Sequence, residues 1–539
     1  MLCYIIYIDK LNNSTRFLNV NLNLDTARVR ILFPVAMLSL LILVNIMAWL
    51  TQFEIAFAIS SSFELGKPFL TEQRSYISLA NATVSRNSGS STDASYDNNI
   101  GIGSIEPLIT SGDRLSNNYT FANIPDGLGA VQVKNGTVDV FVNHELENET
   151  DQGGFAKVSR FRLNQTDGSI IGAELIINGS EEYKSLCSAS LIEGYGFEHP
   201  IFLTNEEVDD GLVLAIDAIN GTITEMPWLG KFSHENTIHV PYFSNTINKT
   251  VVLSFEDGEP TESEVYMYVA DTPKGLLKGD GQLYVFSTNT TTSTSNISGN
   301  QSTYYSWDDI YVSNGTVDGR FIPLTWNYIT QNETDLDNEA ISVGGFQFIR
   351  PEDGAMNKRN GMENILYMAD TGSDLDEKDE TIPAGDNGQN WTNGRMYTFK
   401  FTDPKEPTKV SFEVMMDGND PSAPGYNILK NPDNIDTSQK SLMINEDLID
   451  PNRINATKPY NITNNAKIIQ VDLQQNNNNT KAVAYVNQIE DMAAKHGDWE
   501  SSGILNVSKY FGEGSWLVDV QAHTLKEGGQ LLLMKIPNS

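Results

Sequence analysis

Short apolar runs separated by turn residues are the feature of this 539-residue chain that most restricts its fold. Hairpin patterns at 130–143, 212–228 and 467–489 each place an Asn-containing turn between two alternating or continuous apolar runs. Runs of this length and period are typical of β-strands, and long helical periodicity is missing. The sequence therefore predicts an all-β fold built from many short strands.

Acidic clusters end or interrupt several of these runs. Strands spread evenly over hundreds of residues are compatible with a pair of sandwiches, a β-helix or a propeller. A propeller best explains acids that arrive from distant positions, because every inner strand points toward one central channel. Carboxylate oxygens gathered there are hard ligands for metal ions. The clusters are Asn143-His144-Glu145, Asn205-Glu206-Glu207, His234-Glu235, Glu256-Asp257, Arg350-Pro351-Glu352-Asp353 and Asn445-Glu446-Asp447.

The chain divides by composition into four parts. Residues 1–30 form an N-terminal extension, and residues 31–50 are an uncharged apolar segment. This segment is either the core of a signal peptide or a transmembrane anchor, and both interpretations place the remainder outside the cell or on its surface. Residues 51–100 are predicted to be a polar linker, and residues 101–539 to be the β-propeller domain.

The net charge and the glycosylation sequons indicate which partners and which location the protein has. The formal net charge is -34, so no nucleic-acid-binding surface is expected, because phosphate backbones require clusters of Lys and Arg. An acidic protein that acts on anionic phosphates needs bound cations to reverse the local field. Many Asn-x-Ser/Thr sequons, among them Asn135, Asn220 and Asn248, agree with a secreted or membrane-anchored glycoprotein.

Cys187 is the single cysteine beyond the apolar segment, since the other, Cys3, precedes it. No intramolecular disulfide is expected in the exported part. Cys187 is either a small buried hydrophobic residue or a thiolate ligand to a metal ion.

Short motifs occur in a fixed order along the region from about residue 105 to 535. The cysteine at 187 precedes the acidic pair of FLTNEE, and the apolar runs VYMYV and QLYVF follow VVLSFEDGEP. The other motifs are VFVNHE (140–145), GKFSHEN (230–236), FIRPEDG (348–354), ILYMADT (365–371), GRMYTF (394–399), NPDNI (431–435) and SGILNVSKYFGEGSWLVDVQAHT (502–524). In these motifs and their order the region resembles the PhoX-type alkaline phosphatases.

The resemblance implies a six-bladed propeller that holds iron and calcium at one end of its channel. It implies that Cys187 and glutamates bind the iron, and the matching glutamates are Glu207, Glu235 and Glu352, with Glu206 in the same acidic pair. It further implies that Glu145, Asp257 and Asp433 supply calcium ligands. Arg350 matches the phosphate-contacting arginine, so Arg350 and Glu352 are the expected catalytic residues.

Two functions follow from these expectations. The first is an exported phosphoric monoester hydrolase, which acts on phosphorylated small molecules through a metal-bound hydroxide or oxide, as a monomer. The second is a non-catalytic, calcium-stabilised propeller that serves binding or structure at the cell surface. Cys187 stands in LCSASL, without the glycine-rich context of the family, so both remain open.

Overall fold

The computed structural model describes 11 stretches of the chain, which together hold most of the predicted propeller domain. The apolar segment 31–50, predicted to be a signal-peptide core or an anchor, lies outside the described residues. Within the described stretches no helix has both the length and the apolar character needed to cross a membrane. The stretches are 78–81, 104–148, 154–258, 263–288, 316–372, 393–447, 466–474, 479–487, 499–523, 528–536 and 539.

Strands dominate the described residues, as the alternating runs predict. The first half of the chain contains β1 (Ser78–Asn81), β2 (Ser104–Thr110), β3 (Pro125–Val131), β4 (Thr137–Asn148), β5 (Gly154–Asn164), β6 (Ile170–Ile177), β7 (Leu186–Ile192), β8 (Ile201–Glu206), β9 (Val213–Asp217), β10 (Ile223–Glu225), β11 (His234–His239), β12 (Thr250–Glu256) and β13 (Val265–Ala270). The second half contains β14 (Gly281–Thr288), β15 (Val317–Pro323), β16 (Pro351–Met356), β17 (Ile365–Asp370), β18 (Arg395–Phe401), β19 (Lys409–Asp417), β20 (Pro432–Thr437), β21 (Ser441–Glu446), β22 (Lys467–Asp472), β23 (Thr480–Asn487), β24 (Trp499–Asn506), β25 (Ser515–Ala522) and β26 (Gly528–Lys535).

The helices among the described residues are short. They are a 3-10 turn at Pro227–Leu229 and the α-helices α1 (Pro241–Ile247), α2 (Pro273–Leu276), α3 (Glu333–Ser342) and α4 (Ser508–Phe511).

The turns follow the chemistry that the sequence indicates. In the β9–β10 hairpin, Asp217 accepts hydrogen bonds from the backbone of Ile219 and Asn220 through Oδ1, at 2.8 and 3.1 Å. Gly221 then takes a φ of 73°, which a residue without Cβ adopts at no steric cost. The three predicted hairpins are confirmed, since β3 pairs with β4, β9 with β10 and β22 with β23.

The strands of the described residues form five antiparallel sheets in a propeller-like arrangement. One sheet ends in β2, which joins the N-terminal part of the domain to the last strand of the chain. Strand β1 lies within the predicted linker and pairs with β23. The sheet orders are β3-β4-β5-β6, β7-β8-β9-β10, β11-β12-β13-β14-β15-β19-β18-β17-β16, β20-β21-β22-β23-β1 and β24-β25-β26-β2.

A closed ring of strands surrounds the centre of the molecule. Its members are β3, β7, β11, β16, β20 and β24; each contacts the next, and β24 contacts β3. Apolar clusters fill the space between neighbouring sheets; for example, Phe141 of β4 stacks on Phe202 of β8 with ring centroids 5.1 Å apart. This packing fixes the ring strands, which carry polar residues at their starting ends.

Candidate metal centre

Each of the six ring strands contains a β-bulge close to its first residue. In β3, Pro125 pairs with His144 and Leu128 with Val142, so two residues of β3 lie opposite one residue of β4. The same two-against-one register recurs in the other five ring strands. A bulge redirects its side chains and is common beside functional sites. The first bulge residues are Asp126, Cys187, Glu235, Glu352, Asp433 and Ser502.

These six residues line a common cavity of about 200 Å³. In four sheets the strand paired with the ring strand also contributes polar side chains. Each comes from the residue two positions after the one that lies opposite the bulge, and it lines the same cavity. Eight of the lining side chains are carboxylates, and the only arginine or lysine among them is Arg350. The further lining residues are Glu145, Glu207, Arg350, Asp447, Glu500, Gln521 and His523.

Three linked groups of potential metal ligands lie along this cavity, each with one donor atom per residue and all donor atoms within 4.8 Å of one another. Cys187 belongs to the first two groups and Glu235 to the last two, so shared ligands would connect adjacent ions. The groups are Asp126 with Glu145 and Cys187, Cys187 with Glu207 and Glu235, and Glu235 with Glu352 and Asp433.

Burial and mutual repulsion govern the protonation of this site. Burial raises the pKa of Glu207 well above its usual value, and the charges of Glu235 and Asp257 raise it further. Burial also raises the pKa of the Cys187 thiol, whose Sγ donates to Glu207 Oε2 at 2.7 Å. Buried acidic groups with a raised pKa either hold protons or balance the charge of a bound cation. The reason is that burying an isolated carboxylate charge is unfavourable in free energy.

Backbone contacts keep the bulges in place. Asn143 of β4 donates through Nδ2 to the carbonyl oxygen of Cys187 in the next sheet. Asn445 of β21 donates in the same way to the carbonyl oxygen of Ser502. These amides lie opposite the bulges of their own sheets and so tie successive ring strands together.

Arg350 lies beside the cavity at the start of β16. Its Nε and Nη2 donate to the two carboxylate oxygens of Asp257 at 2.8 and 2.7 Å, a bidentate pair. Nη2 lies 3.3 Å from Glu352 Oε1, and Nη1 lies 3.9 Å from Asp447 Oδ2. The guanidinium is therefore oriented by Asp257 and adjoins the carboxylates of the cavity.

Most of the residues singled out from the sequence meet at this cavity. Glu206 does not: its Oε1 accepts from the backbone of Lys184 at 3.1 Å, because alternation along β8 directs it away from Glu207. Asp257 does not line the cavity either, and its carboxylate accepts two hydrogen bonds from Arg350. The predicted residues that line the cavity are Glu145, Cys187, Glu207, Glu235, Arg350, Glu352 and Asp433.

The histidines before Glu145 and Glu235 lie behind the site. His144 Nε2 is 2.7 Å from Ser159 Oγ, and His234 Nε2 is 3.3 Å from the carbonyl oxygen of Gly230. Both rings are fully buried. They pack and form hydrogen bonds away from the cavity, as expected from the alternation of strand side chains.

Sequence reasoning missed several residues of the cavity. Asp126 carries a recognisable signal, since Pro125-Asp126 matches Pro351-Glu352 and Pro432-Asp433 at the same place in their strands. Glu500 and His523 carry no comparable signal in the sequence. In the structure His523 Nε2 lies 3.2 Å from Glu500 Oε1. The other missed residues are Ser502 and Gln521, whereas Asp447 belongs to the predicted cluster Asn445-Glu446-Asp447.

The family model for alkaline phosphatase PhoX matches residues 168–494, more than half of the chain. The chain belongs to the PhoX family of alkaline phosphatases. The matched region contains most of the predicted cavity residues. These are Cys187, Glu207, Glu235, Arg350, Glu352 and Asp433. The resemblance seen in the sequence motifs is thereby confirmed.

Similarity to one solved structure supports the fold. PhoX from Pseudomonas fluorescens, solved with vanadate as a transition state analogue, is 13% identical, with 81% of this chain and 95% of that chain covered and a TM-score of 0.54. An α-L-arabinofuranosidase from Fusarium graminearum, solved with an iminosugar inhibitor, is 9% identical, with 81% and 98% covered and a TM-score of 0.38. No curated protein matches the sequence.

Proposed function

We propose that this chain is a metal-dependent phosphatase that hydrolyses phosphomonoesters of small molecules. The observation that carries the proposal is the position of Arg350, oriented by Asp257 at the edge of a cavity lined by linked groups of metal donors. Asp257 occupies Nε and one hydrogen of Nη2, so Nη1 and the second hydrogen of Nη2 can donate to two phosphate oxygens. Family membership supports the same activity.

The donor set fits metal ions. The groups that contain Cys187 combine a thiol with carboxylates, which suits a transition metal such as iron. The group of Glu235, Glu352 and Asp433 offers oxygen atoms alone, which suits calcium. Metal ions bound there would supply Lewis acidity toward a phosphoryl oxygen and lower the pKa of water.

The residues of the chain have separable roles in this proposal. Arg350 binds and orients the phosphate, while Asp257 positions Arg350. Glu352, 3.3 Å from Arg350 Nη2, links the phosphate-binding group to the metal ligands. Glu500, whose pKa burial raises to about 8, contacts His523, so this pair can hold a proton at the cavity.

We further propose that the nine-stranded sheet comprises two blades joined by β15. Each part would then have one ring strand, β11 or β16, and the propeller would have six blades. Exposed sequon asparagines, such as Asn135, Asn220 and Asn248, are compatible with an exported glycoprotein. Export would depend on residues 31–50, as an anchor or a cleaved signal, and the protein would act as a monomer outside the cell or on its surface.

Elemental analysis of the purified full chain, together with hydrolysis of p-nitrophenyl phosphate, tests the activity. We expect iron and calcium in the protein and hydrolysis that is lost in Cys187→Ala and Glu352→Gln. Glu446→Gln is a matched control, because Glu446 is also buried but pairs with Lys467 outside the cavity.

The alternative, a non-catalytic calcium-stabilised propeller, predicts a different result. It is favoured by the engagement of Arg350 by Asp257, which needs no substrate. Calcium without iron, combined with no hydrolysis of the phosphate ester by folded protein, would establish that alternative and refute the phosphatase.

A further inference from the structure

A second group of acidic residues lies outside the central cavity. It consists of Glu256 at the end of β12, Glu264 just before β13, and Asp337 in α3. One carboxylate oxygen from each lies within 4.8 Å of the others. Glu256 and Glu264 are 1% and 0% exposed, and none of the three lines the cavity that holds Arg350.

Tyr266 lies in β13 two residues after Glu264, so in an extended chain the two side chains share a face. Tyr266 is fully buried, and its hydroxyl has no hydrogen-bond partner among the described residues. Burial raises the pKa of Tyr266 well above its usual value, and the charges of Glu256, Glu264 and Asp337 raise it further, as expected for a hydroxyl near all three carboxylates. The ring stacks on Phe232 with centroids 4.7 Å apart, which fixes the direction of the hydroxyl.

Neighbouring groups orient two of the carboxylates. The backbone nitrogen of Glu264 donates to Glu256 Oε2 at 2.9 Å. Gln347 donates through Nε2 to Glu264 Oε1 at 2.7 Å. Two buried carboxylates are thus held close together, although their mutual repulsion and desolvation oppose this arrangement.

We propose that Glu256, Glu264, Asp337 and the hydroxyl of Tyr266 form a calcium-binding site separate from the central cavity. All four supply oxygen, the donor that calcium prefers, and a phenol hydroxyl beside carboxylates is a neutral ligand rather than a competing charge. A divalent cation offsets the cost of burying adjacent carboxylates. The alternative occupant of the site is a proton shared between carboxylates.

The proposed ion has a structural role. It connects α3, which belongs to the link between β15 and β16, to the ends of β12 and β13. Glu256 immediately precedes Asp257, the residue that positions Arg350. A cation on Glu256 therefore fixes the end of β12 from the side opposite the cavity. This proposal stands whether or not the protein hydrolyses phosphate esters.

Calcium content of the full chain tests the site. The protein is equilibrated with calcium, freed of unbound ion, and analysed for calcium per chain alongside Asp337→Asn, Glu264→Gln and Glu339→Gln. Glu339 is a matched control, because it lies in the same helix but accepts from Thr325 at 2.6 Å. We expect each of the first two variants to lose one calcium per chain or to bind it about 100-fold more weakly. Glu339→Gln should bind as the unchanged protein does.

A second measurement separates this site from the cavity. Terbium replaces calcium and emits when a tyrosine beside it is excited, so Tyr266→Phe should lose sensitised emission while Phe232 still packs on the ring. Combining Asp337→Asn with Glu352→Gln should add their separate losses of calcium, since independent sites contribute additively. Asp337 is half-buried on a helix, so its variant provides the test even if Glu264→Gln fails to fold.

Folded Asp337→Asn that retains the full calcium content and affinity overturns the proposal and assigns the group to shared protons. Unchanged terbium emission in Tyr266→Phe overturns the assignment of the hydroxyl.

Discussion

Arg350 determines phosphate recognition in the proposed mechanism, because it is the only lysine or arginine among the described residues that line the cavity. Replacing it by Lys keeps a positive charge but removes the planar fork that Asp257 orients. We expect Arg350→Lys to lower kcat/KM for p-nitrophenyl phosphate about 100-fold, the scale on which one oriented donor contributes. Steady-state kinetics on protein with its metal content verified measures this.

Arg162→Lys is the control for Arg350→Lys. Arg162 also forms a bidentate pair, with Nε and Nη2 each 2.7 Å from an oxygen of Asp139, but outside the cavity. Its replacement should change kcat/KM less than about twofold, because only stability is affected. Equal losses of activity in the two variants would show that Arg350 acts through folding alone.

His239 makes stability depend on pH. It is 8% exposed, its Nε2 is 2.9 Å from Ser244 Oγ, and burial lowers its pKa to about 4. Between that value and the unfolded pKa near 6.5, the unfolded state binds more protons, so stability falls as the pH falls. The loss should reach roughly 3 kcal/mol at pH 4.

Urea unfolding of the unchanged protein and of His239→Gln, compared across this pH range, isolates the contribution of His239. The cavity carboxylates act with the opposite sign, since burial raises their pKa, but they are common to both proteins. As the pH falls, the free energy of unfolding of the unchanged protein should therefore decrease relative to that of His239→Gln. Parallel pH profiles would contradict a buried, neutral His239.

At the scale of the element, the bulges of the ring strands determine where the cavity is. Alternation in the sequence predicted the strands and hairpins because period-two patterns directly reflect burial of one face. It could not predict the bulges, since an extra residue breaks the alternation and its cause lies in the neighbouring strand. Asp126 was missed for this reason, although it follows Pro125 as Glu352 follows Pro351.

Gly127 is required by the contact between two bulges. A Cβ at Gly127 would lie 2.5 Å from the carbonyl oxygen of Cys187 and 2.5 Å from the backbone nitrogen of Ala189. Backbone atoms of a central strand cannot move aside cheaply, so Gly127→Ala should displace Cys187 and reduce both iron content and activity. Its destabilisation should be about 2 kcal/mol or more, within the range for overpacking.

Gly136→Ala serves as the control for Gly127→Ala. Nothing lies within 4 Å of a Cβ at Gly136, whose φ is 80°, so only backbone strain of about 1 kcal/mol is expected. Metal content and activity should remain unchanged. If Gly127→Ala retained both with stability no lower than Gly136→Ala, the ring strands would be less closely packed than described.

At the scale of the whole molecule, closure of the ring brings residues more than 300 positions apart to one site. Asp126 and Ser502 lie on β3 and β24, the first and last members of the ring. Single-sequence patterns predicted that distant acids converge, because many strands ended in them. They could not identify Glu500 and His523, since their roles depend on which strands become neighbours at closure.

Closure also depends on β2, which completes the sheet that β24, β25 and β26 begin. Leu108 and Ile109 of β2 are 1% and 2% exposed and pack in the cluster that includes Leu517 and Leu531. Their burial contributes roughly 3 to 6 kcal/mol, and removing β2 also exposes the hydrogen-bonding edge of β26.

Deleting residues 1–110 should therefore abolish cooperative thermal unfolding or lower Tm by more than 10 °C, on the order expected for a loss of this size. Deleting residues 1–77, which leaves β1 and β2 in place, should have little effect on Tm, and equal Tm values for the two deletions would show that the ring closes without β2.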